Sequence, residues 1–249
     1  MDGPVHLVRA ALLFGSALLI AKLFLAGEMA RYMSPGLDPL TALAGLVLAV
    51  MGLVELRWPA DDHAHDHDGV EAAEGIERAL TYGLVLVPTV LGLVVPPRAL
   101  SSSALGGESV ASLLLSFGAG PAPARVVSPP DRTAPLADLP ELLAYLRQRG
   151  EAGVGQPVRA VGLVARGEAL GPNEFALLRY TIAHCVADAR PFSLLIVVRE
   201  DAGWPSDQWV EVEGVLTSRE RDGDRLVAID ASRVAPVEEP RNPYLPPLG

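Results

Sequence analysis

The sequence predicts a membrane protein in which about three transmembrane α-helices precede a small all-β domain, an OB-like Greek-key barrel. Three observations favour this fold class. The mean hydropathy of the 249 residues is +0.30, which is high for a soluble domain of this length. The apolar excess lies in the first hundred residues. The last hundred residues alternate between apolar and polar positions, as β-strands do.

Three apolar segments within residues 1–100 have the composition of membrane-spanning helices. The first is Val5–Gly27 and the second is Leu37–Leu56, each close to the ~20 residues that cross a bilayer as a helix. The third, Leu80–Val95, is shorter and contains Pro88, so a buried or re-entrant helix is its alternative. We interpret the first segment as a retained span rather than a cleaved signal peptide, because its amino end is poorly basic and two apolar segments follow.

The three segments predict a multi-pass protein of the cell membrane. Arg9, Arg57 and Arg78 lie on one side of a three-span arrangement, and Arg31 and Arg98 lie on the other. The positive-inside rule then favours an intracellular amino terminus and an extracytoplasmic β domain.

The region after the spans changes in composition. Residues 101–135 are rich in Ser, Gly, Ala and Pro, which is typical of a linker or of an irregular membrane-proximal segment. Residues 136–240 are predicted to form one domain, which begins with a short amphipathic helix at Leu136–Gly150. Residues 241–249 are predicted to be a tail.

The predicted β domain contains five strands after its helix. Gly162 lies inside the first strand, where a bulge or a bend is expected, and Asp222–Gly223 is a strong hairpin signal. Five strands in about 85 residues match an OB-like barrel, and a split β-sandwich is the main alternative. The segments that predict these strands are 156–167, 175–188 and 191–199, with two more strands in 208–237.

A loop rich in His and Asp, residues 59–77, joins the second and third predicted spans. Three of the five histidines of the chain lie there two residues apart, so an extended chain places them on one side, within reach of one ion. Imidazole and carboxylate groups bind Zn²⁺ and other divalent transition metals. A solvated connector is the alternative. The candidate ligands are Asp61, Asp62, His63, His65, Asp66, His67 and Asp68.

A second group of candidate metal ligands is His184, Cys185 and Asp188 in the predicted β domain. Neighbouring residues of a regular strand face opposite sides, so His184 and Cys185 can share an ion only if the strand ends or bulges there. The nearby Pro191 favours such an end. Two alternatives remain open, because a lone cysteine is most often a small buried residue and a thiol beside an imidazole can be a nucleophile.

Charge and cysteine content exclude some classes of protein. The formal net charge is -10, whereas a surface that binds nucleic acid needs clustered Lys and Arg, so no nucleic-acid partner is expected. A single cysteine cannot form an internal disulfide.

Several stretches resemble the YcgQ-like family of bacterial membrane proteins, which are described as permease subunits. They are "GPNEFALLRYTIAHCVADARP", "WVEVEGVL" and "NPYLPP", together with the spans, the histidine-rich loop and "VPTVLGLVVPPRAL". The family pattern has two adjacent cysteines followed by Val-Ala-Asp-Ala. Here Cys185 matches the second cysteine and His184 replaces the first, which excludes a vicinal disulfide but leaves metal binding open.

The resemblance implies an accessory subunit whose partner is a separate multi-span permease. Our first hypothesis is therefore a non-enzymatic accessory subunit in the lipid bilayer, with a role in metal-related transport or sensing. The alternative is a membrane-anchored thiol or redox protein that uses Cys185. A thiol nucleophile needs a base within reach, and His184 is the single histidine of the β domain that qualifies.

Overall fold

Three α-helices form the first part of the computed structural model, which describes residues 5–58, 71–105, 154–199, 203–221 and 224–245. They are α1 (Val5–Leu25), α2 (Asp38–Arg57) and α3 (Glu71–Val94). Among the described residues, α1 and α2 are long and apolar enough to cross a membrane. The sequence predicts about three such spans, but the apolar stretch of α3, Leu80–Val94, is shorter than a full span.

Helices α1 and α2 pack in opposite directions through small residues. Gly45 and Gly52 of α2 are buried. A Cβ added at Gly45 would lie 3.0 Å from Ile20, and one at Gly52 would lie 3.1 Å from Phe14. Glycine therefore permits the close approach of the two helices at both points.

Helix α3 lies beside α1 in the same direction. Gly15 of α1 faces Thr89, because an added Cβ there would lie 3.4 Å from the threonine methyl group. One helical turn further along α1, Leu19 lies 2.9 Å from a Cβ added at Gly92. The three helices thus run up, down and up within the unit Met1–Arg98.

The second unit, Ala99–Gly249, contains a mixed β-sheet whose strands form a partial ring. The strand order is β1-β4-β5-β3-β2-β6, and an additional pairing joins β1 to β2. The β3–β5 and β2–β6 pairings are parallel and the others are antiparallel. The strands are β1 (Pro157–Ala165), β2 (Glu174–Thr181), β3 (Arg190–Val197), β4 (Trp209–Arg221), β5 (Asp224–Pro236) and β6 (Tyr244–Leu245).

Both faces of β2 are buried. Phe175 and Leu177 belong to one apolar cluster, and the alternate residues Ala176 and Leu178 belong to another. All four side chains are fully buried. This strand therefore has the continuous apolar character of a strand that is covered on both sides, whereas β4 alternates between buried and partly exposed residues along its first half.

Two glycines allow close contacts between strands. A Cβ at Gly162 of β1 would lie 2.9 Å from the Leu178 carbonyl oxygen, where β1 meets β2. The pairing of β1 with β4 runs through Gly162 without the register shift of a bulge, and a register shift lies in β4, between Glu213 and Gly214 in its pairing with β5. A Cβ at Gly214 would lie 2.4 Å from the Asp230 carbonyl oxygen.

Helix α3 begins earlier than the sequence predicts. It starts at Glu71, inside the predicted loop 59–77 and before the predicted span at Leu80–Val95.

Two segments of the β domain also depart from the sequence-based expectation. The second strand ends at Thr181 rather than at Asp188, because the chain turns away to reach β3. The predicted tail contributes Tyr244 and Leu245 to β6, where both side chains are buried, so residues 241–245 are part of the β domain.

Some predictions concern residues outside the described ranges. They include the seven candidate ligands of the histidine loop, the helix at Leu136–Gly150 and the Asp222–Gly223 turn. Of the predicted linker, residues 101–105 are described, and Ser102–Leu105 forms a 3-10 helix.

Candidate functional site

The candidate site in the β domain is the turn between β2 and β3. After Thr181, the Ile182 N–H group donates to the Leu245 carbonyl oxygen at 3.1 Å, so the chain stays hydrogen-bonded to β6 for one residue beyond β2. The chain then leaves the sheet and forms the 3-10 helix Val186–Asp188 before β3 begins at Arg190. The three candidate ligands of the domain therefore lie in a turn, where neighbouring residues are free to share a face.

The Asp188 carboxylate organises this turn. One of its oxygens accepts the Ala183 N–H group at 2.9 Å, and the other accepts the N–H groups of His184 at 2.9 Å and Cys185 at 3.4 Å. The hydrogen bond from Ala183 is the main cause that lowers the pKa of Asp188; partial burial opposes it, and the bonds from His184 and Cys185 reinforce it. Asp188 is thus held in its charged form.

The His184 side chain is 77% exposed and is held by the same carboxylate. Its Nδ1 atom lies 3.1 Å from Asp188 Oδ2. This leaves Nε2 as the ring nitrogen with no hydrogen bond to the described residues. An imidazole oriented by a carboxylate through one nitrogen is the usual arrangement of a metal-binding histidine. Asp188 would then orient His184 instead of binding the ion itself.

Cys185 is a free, partly buried thiol that begins the 3-10 helix. Its sulfur accepts the backbone N–H group of Asp188, while its own N–H group donates to the Asp188 carboxylate. The structure therefore brings Asp188 together with both predicted partners but uses Cys185 to cap the helix. Within the described ranges, no group of three or more His, Cys, Asp or Glu side chains is arranged to hold a metal ion.

A set of residues that sequence reasoning missed holds the segment after α3 against the β domain. The Tyr180 hydroxyl donates to the Ser101 carbonyl oxygen at 2.8 Å, and the Leu100 N–H group donates to the Tyr244 hydroxyl at 3.1 Å. The Asp207 carboxylate accepts the backbone N–H group of Ser102. We call Tyr180, Tyr244 and Asp207 the tyrosine clamp. Burial raises the pKa of Tyr180 to about 12, which favours the neutral hydroxyl that donates this hydrogen bond.

A buried arginine anchors the carboxyl-terminal residues. Arg179 is 7% exposed and donates to the carbonyl oxygens of Val161 at 3.1 Å and Asn242 at 3.3 Å. Its guanidinium group also lies 5.1 Å from the centre of the Trp209 ring, within the range of a cation–π contact. Asn242 and the clamp residue Tyr244 both lie in "NPYLPP", one of the stretches that carry the family resemblance.

Comparison with known proteins gives two family matches that together cover most of the chain. The DUF1980 N-terminal domain matches residues 8–111, and the DUF1980 C-terminal domain matches residues 139–246.

One curated relative and one solved structure add to these matches. The UPF0703 protein YcgQ of Bacillus subtilis (strain 168) is 24% identical over 94 residues, which are 37% of this chain and 33% of that protein. The similarity thus spans a third of the relative's length. A small single-stranded DNA-binding protein from Streptomyces coelicolor is 17% identical and aligns over 33% of this chain and 94% of its own. The TM-score is 0.24, too low to indicate a shared fold.

Proposed function

The chain belongs to the YcgQ-like DUF1980 family, and from this premise we propose that it is a non-enzymatic accessory subunit of a membrane permease. In this proposal the helical unit inserts into the bilayer of the cell membrane and docks on a separate multi-span permease subunit. The β domain binds or senses metal-related cargo beside it. The family match confirms the resemblance seen in the sequence, and the role is our inference.

The observation that carries the membrane insertion in this proposal is the distribution of polar groups in the helical unit. Arg9 lies 3.9 Å from Glu55 of α2 and donates to the Tyr82 hydroxyl of α3 at 3.4 Å. Lys22 donates to two carbonyl oxygens of α3, each at 3.0 Å. Because an unpaired charge is costly in lipid, charged groups of membrane helices bind one another or backbone carbonyls inside the bundle.

The apolar side chains of the same helices face outward, away from the other helices of the unit. Only 11% of the apolar stretch of α1 and of α2 is buried within the chain. Large side chains on all three helices are more than half exposed, which would be a heavy cost in water. Examples within the apolar stretches are Leu18, Leu40, Leu46 and Leu84. Exposed apolar faces and internally paired charges together support insertion in a bilayer.

The directions of the helices support three crossings, and the apolar stretch of α3 is the shortest of the three. An odd number of crossings puts the amino terminus and the residues after α3 on opposite sides of the membrane. The positive-inside rule then favours an extracytoplasmic β domain and an intracellular loop between α2 and α3. A cysteine-reactive label that does not cross membranes tests this orientation, because Cys185 is the sole cysteine. Labelling only after permeabilisation would contradict it.

We also propose that the partial ring is an OB-like barrel. Following the paired neighbours leads from β1 to β2, β3, β5 and β4 and then back to β1. A five-stranded Greek-key ring with glycines at its close crossings is the pattern of that fold. The parallel β3–β5 pairing, which requires a crossover by β4, supports the same assignment.

The proposed metal role has two parts. The histidine loop, with His63, His65 and His67, gathers cations on one side of the membrane, and the imidazole of His184 supplies a ligand on the other. Isothermal calorimetry with Zn²⁺, Cu⁺ and Co²⁺ tests both parts. We expect less binding in the triple His→Ala variant of the loop and in His184→Ala, and no change in His6→Ala, a matched histidine outside both sites. Equal binding in wild type and variants would refute the metal role.

The accessory role is tested by co-purification from the native membrane. We expect the full-length chain to resist extraction by alkaline carbonate and to co-purify in fixed ratio with a multi-span protein encoded beside it. Release into the carbonate wash, or purification without such a partner, would refute the proposal. The variant Cys185→Ser distinguishes the accessory role from the thiol-enzyme alternative. Transport that depends on this chain should be unchanged in the variant if the chain is an accessory subunit, and it should be lost if Cys185 is the reactive thiol of an enzyme.

A further inference from the structure

A cavity of about 710 Å³ opens in the helical unit where α3 ends. Pro88, Leu91 and Val95 contribute apolar side chains to its lining, and Tyr32 and Arg98 are the lining residues with polar side-chain groups. All of these residues belong to the unit Met1–Arg98. The volume lies within the ~300–1,000 Å³ typical of small-molecule sites. The lining thus combines apolar side chains, which suit hydrocarbon, with two side chains that can bind a polar group.

The electrostatics of the cavity favour an anion. The carboxyl end of a helix normally carries a partial negative charge from its unpaired carbonyl groups. Here the Lys22 ammonium group donates to the carbonyl oxygens of Gly92 and Leu93, at 3.0 Å each, and so neutralises that end. Gly92 itself lines the cavity. An ammonium group has three N–H donors, so one remains after these two bonds.

No carboxylate among the lining residues offsets these positive charges. The nearest acidic residue along the chain before Tyr32 is Glu28, and its carboxylate lies 3.6 Å from Arg31. Within the described ranges Arg98 is exposed and has no ion pair. The guanidinium group of Arg98 is therefore available to a ligand.

We propose that this cavity binds an anionic phospholipid. The lipid phosphate accepts from Arg98 and from the Tyr32 hydroxyl, with Lys22 contributing positive charge, and one acyl chain lies along Pro88, Leu91 and Val95. Basic pockets between membrane helices bind lipid headgroups in this way, and Tyr is common at headgroup depth. The inference rests on the proposed membrane insertion and names a ligand for the helical unit beyond the permease partner.

Native mass spectrometry of the full-length protein in detergent tests the site. With phosphatidylglycerol added, we expect one lipid to stay bound per chain, and with phosphatidylcholine we expect much less. Arg98→Gln removes a charged hydrogen-bond donor and should weaken retention of phosphatidylglycerol about tenfold or more. Tyr32→Phe should weaken it by a smaller factor. Arg57→Gln, at an exposed arginine that ends α2, is the matched control and should leave retention unchanged.

The outcomes separate this inference from its alternatives. Equal retention of the two lipids, or equal loss in Arg98→Gln and Arg57→Gln, overturns it. Displacement of the lipid by millimolar inorganic phosphate also overturns it, because that result indicates a simple phosphate site. The measurement needs no permease, so a failure to find a partner leaves the lipid result standing. Conversely, equal retention of phosphatidylglycerol and phosphatidylcholine would refute the lipid site but leave the proposed accessory role unaffected.

Discussion

Replacement of Gly214 by alanine should destabilise the β domain, because the backbones of β4 and β5 approach each other closely at this glycine. The added Cβ would lie 2.4 Å from the Asp230 carbonyl oxygen and 2.7 Å from the Ile229 side chain. Both distances are well inside van der Waals contact. To relieve this overlap, β4 and β5 would have to move apart. Gly214 lies at the register shift of a long hairpin, and the paired residues on both sides of it hold the two strands together.

The magnitude follows from the cost of overpacking a tight interior, which is about 3 kcal/mol at the upper end of its usual range. For a unit of this size, such a loss lowers the unfolding midpoint by roughly 6–12 °C, at about 2–4 °C per kcal/mol. Thermal unfolding of the full-length protein in detergent, followed by tryptophan fluorescence, measures the shift. Two of the three tryptophans, Trp204 and Trp209, lie in this unit, and Trp209 is nearly buried.

Gly171→Ala is the matched control for this prediction. It lies in the same unit, and its added Cβ would come no nearer than 3.4 Å to the Glu174 carboxylate, which is an ordinary contact. We expect its midpoint to stay within about 2 °C of wild type, as for a substitution worth under about 0.5 kcal/mol. If Gly214→Ala melts at the same temperature as this control, the close approach of β4 and β5 at Gly214 is wrong.

Three further predictions follow from single contacts. Tyr180→Phe removes the donor to Ser101, so amide hydrogens of residues 99–105 should exchange faster, and unchanged exchange would contradict the tyrosine clamp. Asp188→Asn should lower stability at neutral pH. Because the pKa of Asp188 is lowered in the folded state, its advantage over Asn is present above the ordinary pKa of the carboxyl group and disappears as the pH falls through the lowered value, which denaturation at a series of pH values measures. Lys22→Met leaves two carbonyl groups of α3 without their donor and should lower the detergent melting temperature of the helical unit, whereas the same change at the exposed Arg57 should not.

The secondary structure was largely readable from the sequence. The apolar runs predicted α1 and α2 to within two residues at most ends, and the period of two predicted all five strands of the ring. These signals are local, because hydropathy and side-chain alternation depend on neighbours in the chain. The sixth strand was missed because two residues, Tyr244 and Leu245, are too few to show a period.

The candidate site in the β domain was readable in part. The sequence placed His184, Cys185 and Asp188 near one another and required the strand to end there if they were to meet, and β2 does end at Thr181. Residue spacing could not assign Asp188 to the backbone N–H groups of the turn or to His184 Nδ1. Those assignments depend on the turn geometry, which follows from where β2, β3 and β6 pair.

The sequence by itself determined the order of the chain: apolar helices first, a histidine-rich loop between the second and third, and a β domain after them. It could do so because a helix or strand that buries one face carries apolar residues at a regular spacing along the chain. Only the tertiary structure decided which groups meet across elements, since Lys22 and Gly92 are 70 residues apart and Tyr180 and Ser101 are 79. The physical reason is that a hydrogen bond between distant segments depends on a single donor and a single acceptor. Such a contact produces no repeating residue pattern in the sequence of either segment.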